Sequence, residues 1–165
     1  MLRRAHCTNS GSHCQLGIVL QAHKDLGGAG SALRAAIAVG PNYALARAAL
    51  GSIFRARKDM VSAEGAYRDA IAADPNCPVA HFFLGGLLLD EHKDVASAES
   101  AYRDAIAAAP TCADAHNNLG YLLQYERKDV PGAESAYRGA IAANPKFVEA
   151  HYNLEYLLNN MKNFN

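Results

Sequence analysis

Two histidine–cysteine pairs near the N-terminus carry the side chains best suited to metal chemistry. His6 is followed by Cys7, and His13 is followed by Cys14. Thiolates and imidazole nitrogens are the ligands that zinc prefers. The spacing fits no zinc finger or zinc knuckle, and Cys14 is expected to lie on a helix. We therefore predict an ordinary leader with a buried thiol, and no metal site.

The other two cysteines, Cys77 and Cys112, stand at equivalent positions of a repeating pattern. Packed helices lie about 8–10 Å apart, so equivalent residues of successive repeats are separated by roughly that distance. A disulfide requires Cα atoms within about 7 Å. We expect reduced thiols, which are typical of a cytoplasmic protein.

Histidines recur with the same spacing at His81, His116 and His151, and a further one is His13. Equivalent rings about 8–10 Å apart are too distant to share a metal ion with bonds of about 2 Å. We interpret them as partly buried packing residues. The sequence also lacks the nucleophile, zinc-protease and phosphate-loop motifs of common enzymes. No catalytic residue and no cofactor is predicted.

A repeat along the chain must position all these side chains. Prolines stand at residues 41, 75, 110 and 145, in steps of 34, 35 and 35 residues. The segment AYRDAI at residues 66–71 recurs at 101–106 and, with Gly139 in place of aspartate, at 136–141. A fixed period of about 20–50 residues is the signature of a solenoid.

Each period predicts two helices. Ala115, Leu119 and Leu122 form an apolar stripe with helical spacing. Asp129 can then cap a second helix whose first turn contains Pro131. We predict an all-α, right-handed superhelical solenoid of antiparallel helix pairs. Its four repeats are expected at residues 10–43, 44–77, 78–112 and 113–147, followed by a capping helix at 148–160, with a disordered leader at 1–9 and a tail at 161–165.

Composition and charge exclude several classes of protein. The 165 residues include 16 basic and 16 acidic side chains, so the formal net charge is zero. Proteins that bind nucleic acid usually carry a basic face, and membrane spans need about 20 apolar residues in succession. We expect a cytoplasmic protein with neither partner. The acid-free N-terminus, which contains Arg3 and Arg4, has the composition of a mitochondrial transit peptide but is short for one.

A glycine recurs inside each predicted first helix, at Gly17, Gly51, Gly85 and Gly120. A glycine there costs about 1 kcal/mol relative to alanine, so its recurrence needs a reason. We infer a close approach of the first helix to the second, onto the alanines at 29, 63, 98 and 133. The fifth copy carries Glu155 instead, which fits a terminal helix without a partner helix.

The repeated residues resemble the tetratricopeptide repeat family. One full match consists of Leu84, Gly85, Leu88, Ala98, Tyr102, Ala105 and Pro110. Similar series begin at Leu50 and Leu119, and a degenerate one begins at Leu16. The resemblance covers residues 10–160 and implies stacked helix pairs whose first helices line a concave surface. The family's usual tryptophan position holds His13, Arg47, His81, His116 and His151.

The resemblance also implies a binding groove for a protein or peptide on that concave surface. The family's groove-facing stripe maps onto Val79, Phe82, Gly86 and Leu89, then Asn117, Tyr121, Gln124 and Tyr125, then Tyr152 and Tyr156. Asn118 and Asn153 occupy the position where the family often places an asparagine that contacts peptide backbone. Tyrosine suits such a face because it combines a large area with a polar tip. An alternative is that some of these tyrosines pack between repeats.

The resemblance argues against one known kind of ligand. Family members that bind the C-terminal tails of chaperones use a clamp of lysines and arginines. The corresponding positions here are Cys14, Ile18, Ala48, Ala49, Ser52 and Phe83, and none is cationic. We expect a partner segment that is uncharged, apolar or aromatic, and not a chaperone tail.

These observations predict a non-catalytic scaffold that binds an extended peptide or a partner helix in its concave groove. Two alternatives stay open. The chain could be the repeat region of a larger multidomain enzyme, for example a glycosyltransferase-like protein, although such arrays carry a regular asparagine ladder of which only Asn118 and Asn153 are present. It could also be a self-assembling structural solenoid whose copies meet through the terminal helix at residues 148–160.

Overall fold

The computed structural model describes Gly17 and residues 25–162, the last two without their side chains. Within that part the chain forms α-helices and no strand. The predicted leader at 1–9 lies outside the described residues, as do Cys7, Cys14 and residues 163–165. The fold is an all-α helical repeat solenoid.

The helices follow one another in antiparallel pairs. They are α1 Leu26–Val39, α2 Ala44–Ala56, α3 Met60–Ala73, α4 Pro78–Asp90, α5 Val95–Ala108, α6 Ala113–Leu122, α7 Val130–Ala143 and α8 Val148–Lys162. Helices α2, α4, α6 and α8 begin at residues 44, 78, 113 and 148. Helix α8 continues to residue 162.

Every described second helix, namely α1, α3, α5 and α7, begins with an aspartate N-cap. The carboxylate oxygens of Asp25, Asp59, Asp94 and Asp129 accept the backbone N–H three residues ahead, at 2.9–3.1 Å. These bonds satisfy a donor that the first helical turn leaves unpaired. Hydrogen bonds from Ser62 and Ser97 lower the pKa values of the Asp59 and Asp94 carboxyls.

The residue before each of the last three caps is a lysine in the left-handed region. Lys58, Lys93 and Lys128 have φ angles of 62°, 53° and 59°. The third and fourth repeats hold one extra residue before this lysine. In the fourth, helix α6 absorbs it by continuing into a π-helical turn, Leu123–Arg127, the usual form of a one-residue insertion in a helix.

Tyrosine rings of the second helices fill the core between paired helices. Tyr67, Tyr102 and Tyr137 are fully or almost fully buried. A Cβ atom built on Gly51 would lie 2.6 Å from Tyr67 Cε1. The glycines therefore do allow a close approach, but mainly to these rings and not to the alanines that we expected. At Gly85 both partners are present, because a Cβ would lie 3.0 Å from the Tyr102 ring and 3.3 Å from the Ala98 carbonyl oxygen.

The recurring histidines close the turns between repeats. The Nε2 atoms of His81, His116 and His151 lie 2.8, 3.0 and 2.9 Å from the carbonyl oxygens of the prolines six residues earlier, Pro75, Pro110 and Pro145. A carbonyl oxygen only accepts, so Nε2 carries the hydrogen. Arg47 does the same at its own repeat position, donating from Nε and Nη2 to the Pro41 oxygen at 3.1 and 2.8 Å.

Candidate protein-binding groove

The first helices of the repeats line one side of the solenoid. Helix α2 packs against α4, and α6 packs against α8, while each second helix packs mainly on the first helices of its own repeat and the next. Such stacking curves an array of helix pairs and leaves an extended concave surface. The residues predicted for the groove lie on α4, α6, its π-helical turn and α8.

Four tyrosines form an exposed aromatic surface on that side, which we name the tyrosine patch. Tyr121, Tyr125, Tyr152 and Tyr156 are 48%, 38%, 66% and 44% exposed. The ring centroids of Tyr121 and Tyr125 are 4.6 Å apart, and those of Tyr152 and Tyr156 are 6.4 Å apart with nearly parallel planes. The first pair belongs to α6 and its π-helical turn and the second to α8, so the patch crosses the junction between the last repeat and the terminal helix.

The tyrosine patch is coupled electrostatically across that junction. Partial burial raises the pKa of Tyr125, and the phenols of Tyr156, Tyr121 and Tyr152 raise it further. A hydrogen bond with the Tyr156 side chain also raises the pKa of Tyr125, because it favours the neutral phenol. The phenols of Tyr121, Tyr152 and Tyr156 therefore lie close to that of Tyr125.

All four predicted amides make hydrogen bonds within the protein, and that of Asn118 is with the buried Tyr102. Asn153 Nδ2 donates to Asn117 Oδ1 at 3.0 Å and so joins α8 to α6. Gln124 Oε1 accepts from the buried Tyr137 hydroxyl at 2.8 Å. These bonds hold in place the helices that carry the tyrosine patch. They use the side-chain oxygens of Asn117 and Gln124 and not their amide N–H groups.

A cavity of about 270 Å³ opens where α4 meets α2, α5 and α6, and we name it the Arg55 pocket. Its lining consists of Arg55, Phe82, Gly86, Leu89, Asp90, Tyr102, Asn118 and Tyr121. The Arg55 guanidinium carbon lies 5.3 Å from the centre of the Phe83 ring, within cation–π range. Tyr121 borders both this pocket and the tyrosine patch, so the two are continuous.

The polar groups of the Arg55 pocket act on the buried phenol at its base. Burial raises the pKa of the Tyr102 hydroxyl, and a hydrogen bond with the Asn118 side chain opposes that rise. Asp90 raises the same pKa and Arg55 lowers it, so both charges are felt within the pocket. The predicted site residues Phe82 and Leu89 are half-buried and supply its apolar wall.

Besides the buried Tyr102, two charged lining residues, Arg55 and Asp90, were absent from the predicted site. The repeat register contained the signal for both. A step of one period back from Leu89 leads to Arg55, and a step back from Tyr125 leads to Asp90. The Arg55 pocket is lined by one positively and one negatively charged side chain. The tyrosine patch itself consists of four neutral side chains.

Clefts on the outer side of the array repeat with the period of the sequence. The Leu84–Leu88 pair lines one of about 470 Å³, and the equivalent Leu119–Leu123 pair lines another of about 550 Å³. Leu154 and Leu158 of α8 line a third of about 440 Å³. Since the same cleft recurs at each repeat, it follows from the packing of the array and does not mark one site.

The residues that the structure describes include no candidate metal-binding site. No group of three or more histidine, cysteine, aspartate or glutamate side chains there is placed to hold a metal ion. Cys77 and Cys112 are free thiols. None of the described helices has the length and apolarity required to cross a membrane.

A curved array of helix pairs with an exposed aromatic groove is the architecture of a protein–protein interaction scaffold. The tetratricopeptide repeat family profile matches residues 14–78, 62–111 and 83–146. The chain belongs to the tetratricopeptide repeat family, whose members are generally non-catalytic scaffolds. No curated protein sequence matches it significantly.

Solved structures with the same fold share little sequence with the chain. PilF of Pseudomonas aeruginosa is 22% identical, with a TM-score of 0.86 over 97% of this chain and 72% of that one. The first tetratricopeptide domain of Spaghetti (RPAP3), bound to the HSP90 peptide SRMEEVD, is 22% identical, with a TM-score of 0.66 over 73% and 94%. YrrB, described as having an unusual peptide-binding site, is 17% identical, with a TM-score of 0.68 over 92% and 77%.

Proposed function

We propose that the chain is a non-catalytic scaffold that holds an extended segment of a partner protein along its concave groove. The segment would lie across the Arg55 pocket and the tyrosine patch. The observation that carries this proposal is the patch itself, in which four tyrosines from two helices leave large parts of their rings uncovered. Clustered, exposed aromatic side chains are typical of surfaces that bind proteins.

The dimensions of the groove favour a polypeptide over a small molecule. The Arg55 pocket, at about 270 Å³, is smaller than the roughly 300–1,000 Å³ of common ligand sites. It is large enough for one anchoring side chain. The tyrosine patch beside it is an open surface and could hold only a ligand that extends along it.

The charges in the groove constrain the partner. Arg55 and Asp90 both act on the Arg55 pocket, so a neutral polar side chain that can both donate and accept hydrogen bonds suits it best. Among the described clamp positions, Ala48, Ala49, Ser52 and Phe83 provide no cation for a C-terminal carboxylate. The remaining two, Cys14 and Ile18, lie outside the described residues. A chaperone tail such as the acidic peptide held by RPAP3 is therefore not the partner that we propose.

We also propose that the protein works in the cytoplasm. The free thiols of Cys77 and Cys112 support this proposal, because reduced cysteines persist in a reducing compartment. Localisation of the full-length protein with a C-terminal fluorescent tag would test it, and a mitochondrial signal would contradict it.

Affinity capture from lysate of the source cells tests the proposed groove. The bait is the wild-type chain, the triple variant Tyr121→Ala/Tyr125→Ala/Tyr152→Ala, or the control Val61→Ala/Lys146→Ala, which changes exposed residues away from the groove. Circular dichroism must first establish equal helicity. We expect a partner that binds the wild type and the control and is lost from the triple variant. Equal capture by all three baits would refute the groove as the binding site.

A further inference from the structure

We propose that the tyrosine patch recognises a proline-rich segment in the polyproline II conformation. This inference rests on the proposed function and names the backbone that the groove would hold. Three properties of the patch carry it: the hydrogen-bonding groups that it exposes, the distance between its two halves, and the pairing of its rings.

The first property is an excess of hydrogen-bond donors over a flat aromatic surface. The patch presents four phenol hydroxyl groups, of which that of Tyr125 is hydrogen-bonded to Tyr156. The amide N–H groups of Asn117 and Gln124 lie beside the patch, since only their oxygens serve the bonds described above. A polyproline II segment has no internal hydrogen bonds, so its carbonyl oxygens are free, and proline contributes no N–H. An acceptor-rich backbone is the complement of a donor-rich surface.

A partner helix would not provide that complement. Its carbonyl oxygens are used within the helix, so the phenol hydroxyls that it covered would lose water without gaining acceptors. A β-strand partner needs the edge of a sheet, and the described part of the chain contains no strand. An extended segment remains, and one rich in proline adds no backbone N–H groups for which the surface would need acceptors.

The second property is the distance between the two halves of the patch. The bond from Asn153 to Asn117 holds α8 against α6, and packed helices have axes about 8–10 Å apart. A polyproline II helix rises about 3.1 Å per residue, so one three-residue turn spans about 9 Å. Prolines three residues apart would thus meet successive tyrosine pairs of the array.

The third property is that each half of the patch offers two neighbouring rings. The centroid distances of 4.6 and 6.4 Å place the two rings of each pair in contact, so their exposed faces form one broad aromatic surface on which a pyrrolidine ring can pack. Aromatic-lined grooves are the common receptors of proline-rich segments, because such segments are already extended and lose little entropy on binding.

Nuclear magnetic resonance with tyrosine-labelled protein tests this inference directly. The probe is an acetylated, amidated dodecaproline peptide, compared with an uncharged serine–alanine peptide and with an alanine-rich helical peptide of equal length. We expect saturable shifts at the ring signals of Tyr121, Tyr125, Tyr152 and Tyr156 with dodecaproline alone, and a dissociation constant below about 1 mM. The signals of the buried Tyr67, Tyr102 and Tyr137 serve as internal references.

Two variants separate the contributions of rings and hydroxyl groups. Tyr121→Ala/Tyr152→Ala should weaken dodecaproline binding at least about tenfold. Tyr121→Phe/Tyr152→Phe keeps the rings and should weaken it by a smaller factor, about threefold to fivefold. Val61→Ala, on an exposed position of α3, should leave the affinity unchanged.

The possible results distinguish this inference from the proposed function. If the serine–alanine or the helical peptide shifts the four tyrosine signals and dodecaproline does not, the groove binds protein but the polyproline inference is wrong. If no peptide shifts them at about 1 mM while the triple variant still loses its cellular partner, the inference is again wrong and the proposed function stands. If neither effect is seen, both are refuted.

Discussion

The ring of Tyr67 packs directly on Gly51, so closely that a Cβ atom on the glycine would lie 2.6 Å from Tyr67 Cε1. Tyr67 is completely buried, so its ring has no free space into which it could turn. The same relationship joins Gly120 to Tyr137. The distance between the two helices of a repeat is therefore set by the absence of one methyl group.

Replacing that glycine should destabilise the protein although alanine is the better helix former. Gly51→Ala gains about 1 kcal/mol in helix propensity and loses about 1–3 kcal/mol through overpacking, so we expect a net loss of about 1 kcal/mol. Gly65→Ala is the matched control, because a Cβ there meets nothing within 4 Å, and it should stabilise by up to about 1 kcal/mol. Urea unfolding of the two variants measures both values, and equal stabilisation would disprove the packing argument.

Removing the hydrogen bond between a histidine and the turn before its helix should lower the unfolding free energy more where the histidine is buried. His81→Phe retains an aromatic ring but removes the donor to the Pro75 oxygen, and we expect a loss of about 1 kcal/mol in unfolding free energy. His151→Phe removes the equivalent bond at an exposed ring. Water can replace the donor there, so the change should stay within about 0.5 kcal/mol. A larger effect at His151 than at His81 would contradict this explanation.

The left-handed backbone conformation of Lys58, Lys93 and Lys128 predicts that glycine at these positions stabilises the protein. Lys93 has a φ angle of 53°, a region that costs a residue with a side chain about 1–2 kcal/mol. Lys93→Gly removes that cost but adds flexibility to the unfolded chain, so a net gain of about 0.5 kcal/mol is expected. Lys146→Gly, at a lysine outside the left-handed region, should only destabilise. Thermal unfolding compares the two variants. Loss of stability in both would contradict the proposed backbone strain at Lys93.

The buried tyrosines predict a loss of stability in alkaline solution. Burial raises the pKa values of Tyr67, Tyr102 and Tyr137 above the ordinary value of 10.0. The folded state therefore keeps these protons when the unfolded chain has lost them. Their contribution is fully present below pH 10 and declines as the pH rises above that value.

Denaturant unfolding across that range measures the decline. The unfolding free energy of the wild type should fall more steeply between about pH 9.5 and 11 than that of Tyr137→Phe, which has one ionisable group fewer. The variant also loses the hydrogen bond to Gln124, which changes its stability at every pH. The comparison therefore uses the slope of unfolding free energy against pH and not its absolute value. Parallel slopes would show that Tyr137 does not contribute.

The repeat in the sequence was sufficient to predict the helix pairs, because proline spacing, aspartate caps and leucine positions all have the same period. It was less informative about contacts between side chains. The glycines were assigned to alanine partners, whereas the rings of Tyr67 and Tyr137 take that space.

Site residues could be predicted from the sequence only where the residue type was conspicuous, and the site itself stays a prediction. The tyrosines stood out, but Arg55 and Asp90 did not, because a charge near the end of a surface helix usually faces solvent. Only the packing of α2 against α4 brings Arg55 and Asp90 to one cavity. The hydrogen bond from Tyr137 to Gln124 likewise depends on the depth of the ring between the helices, which periodicity does not specify.

Glu155 occupies in α8 the position that glycine holds in the earlier first helices, and it is exposed. A helix that docked on α8 with the geometry of an ordinary repeat would need a bare Cα atom there, and would instead cover a carboxylate without a counterion. Domain swapping, in which a second helix of one copy would pack on α8 of another, should therefore be disfavoured at this surface.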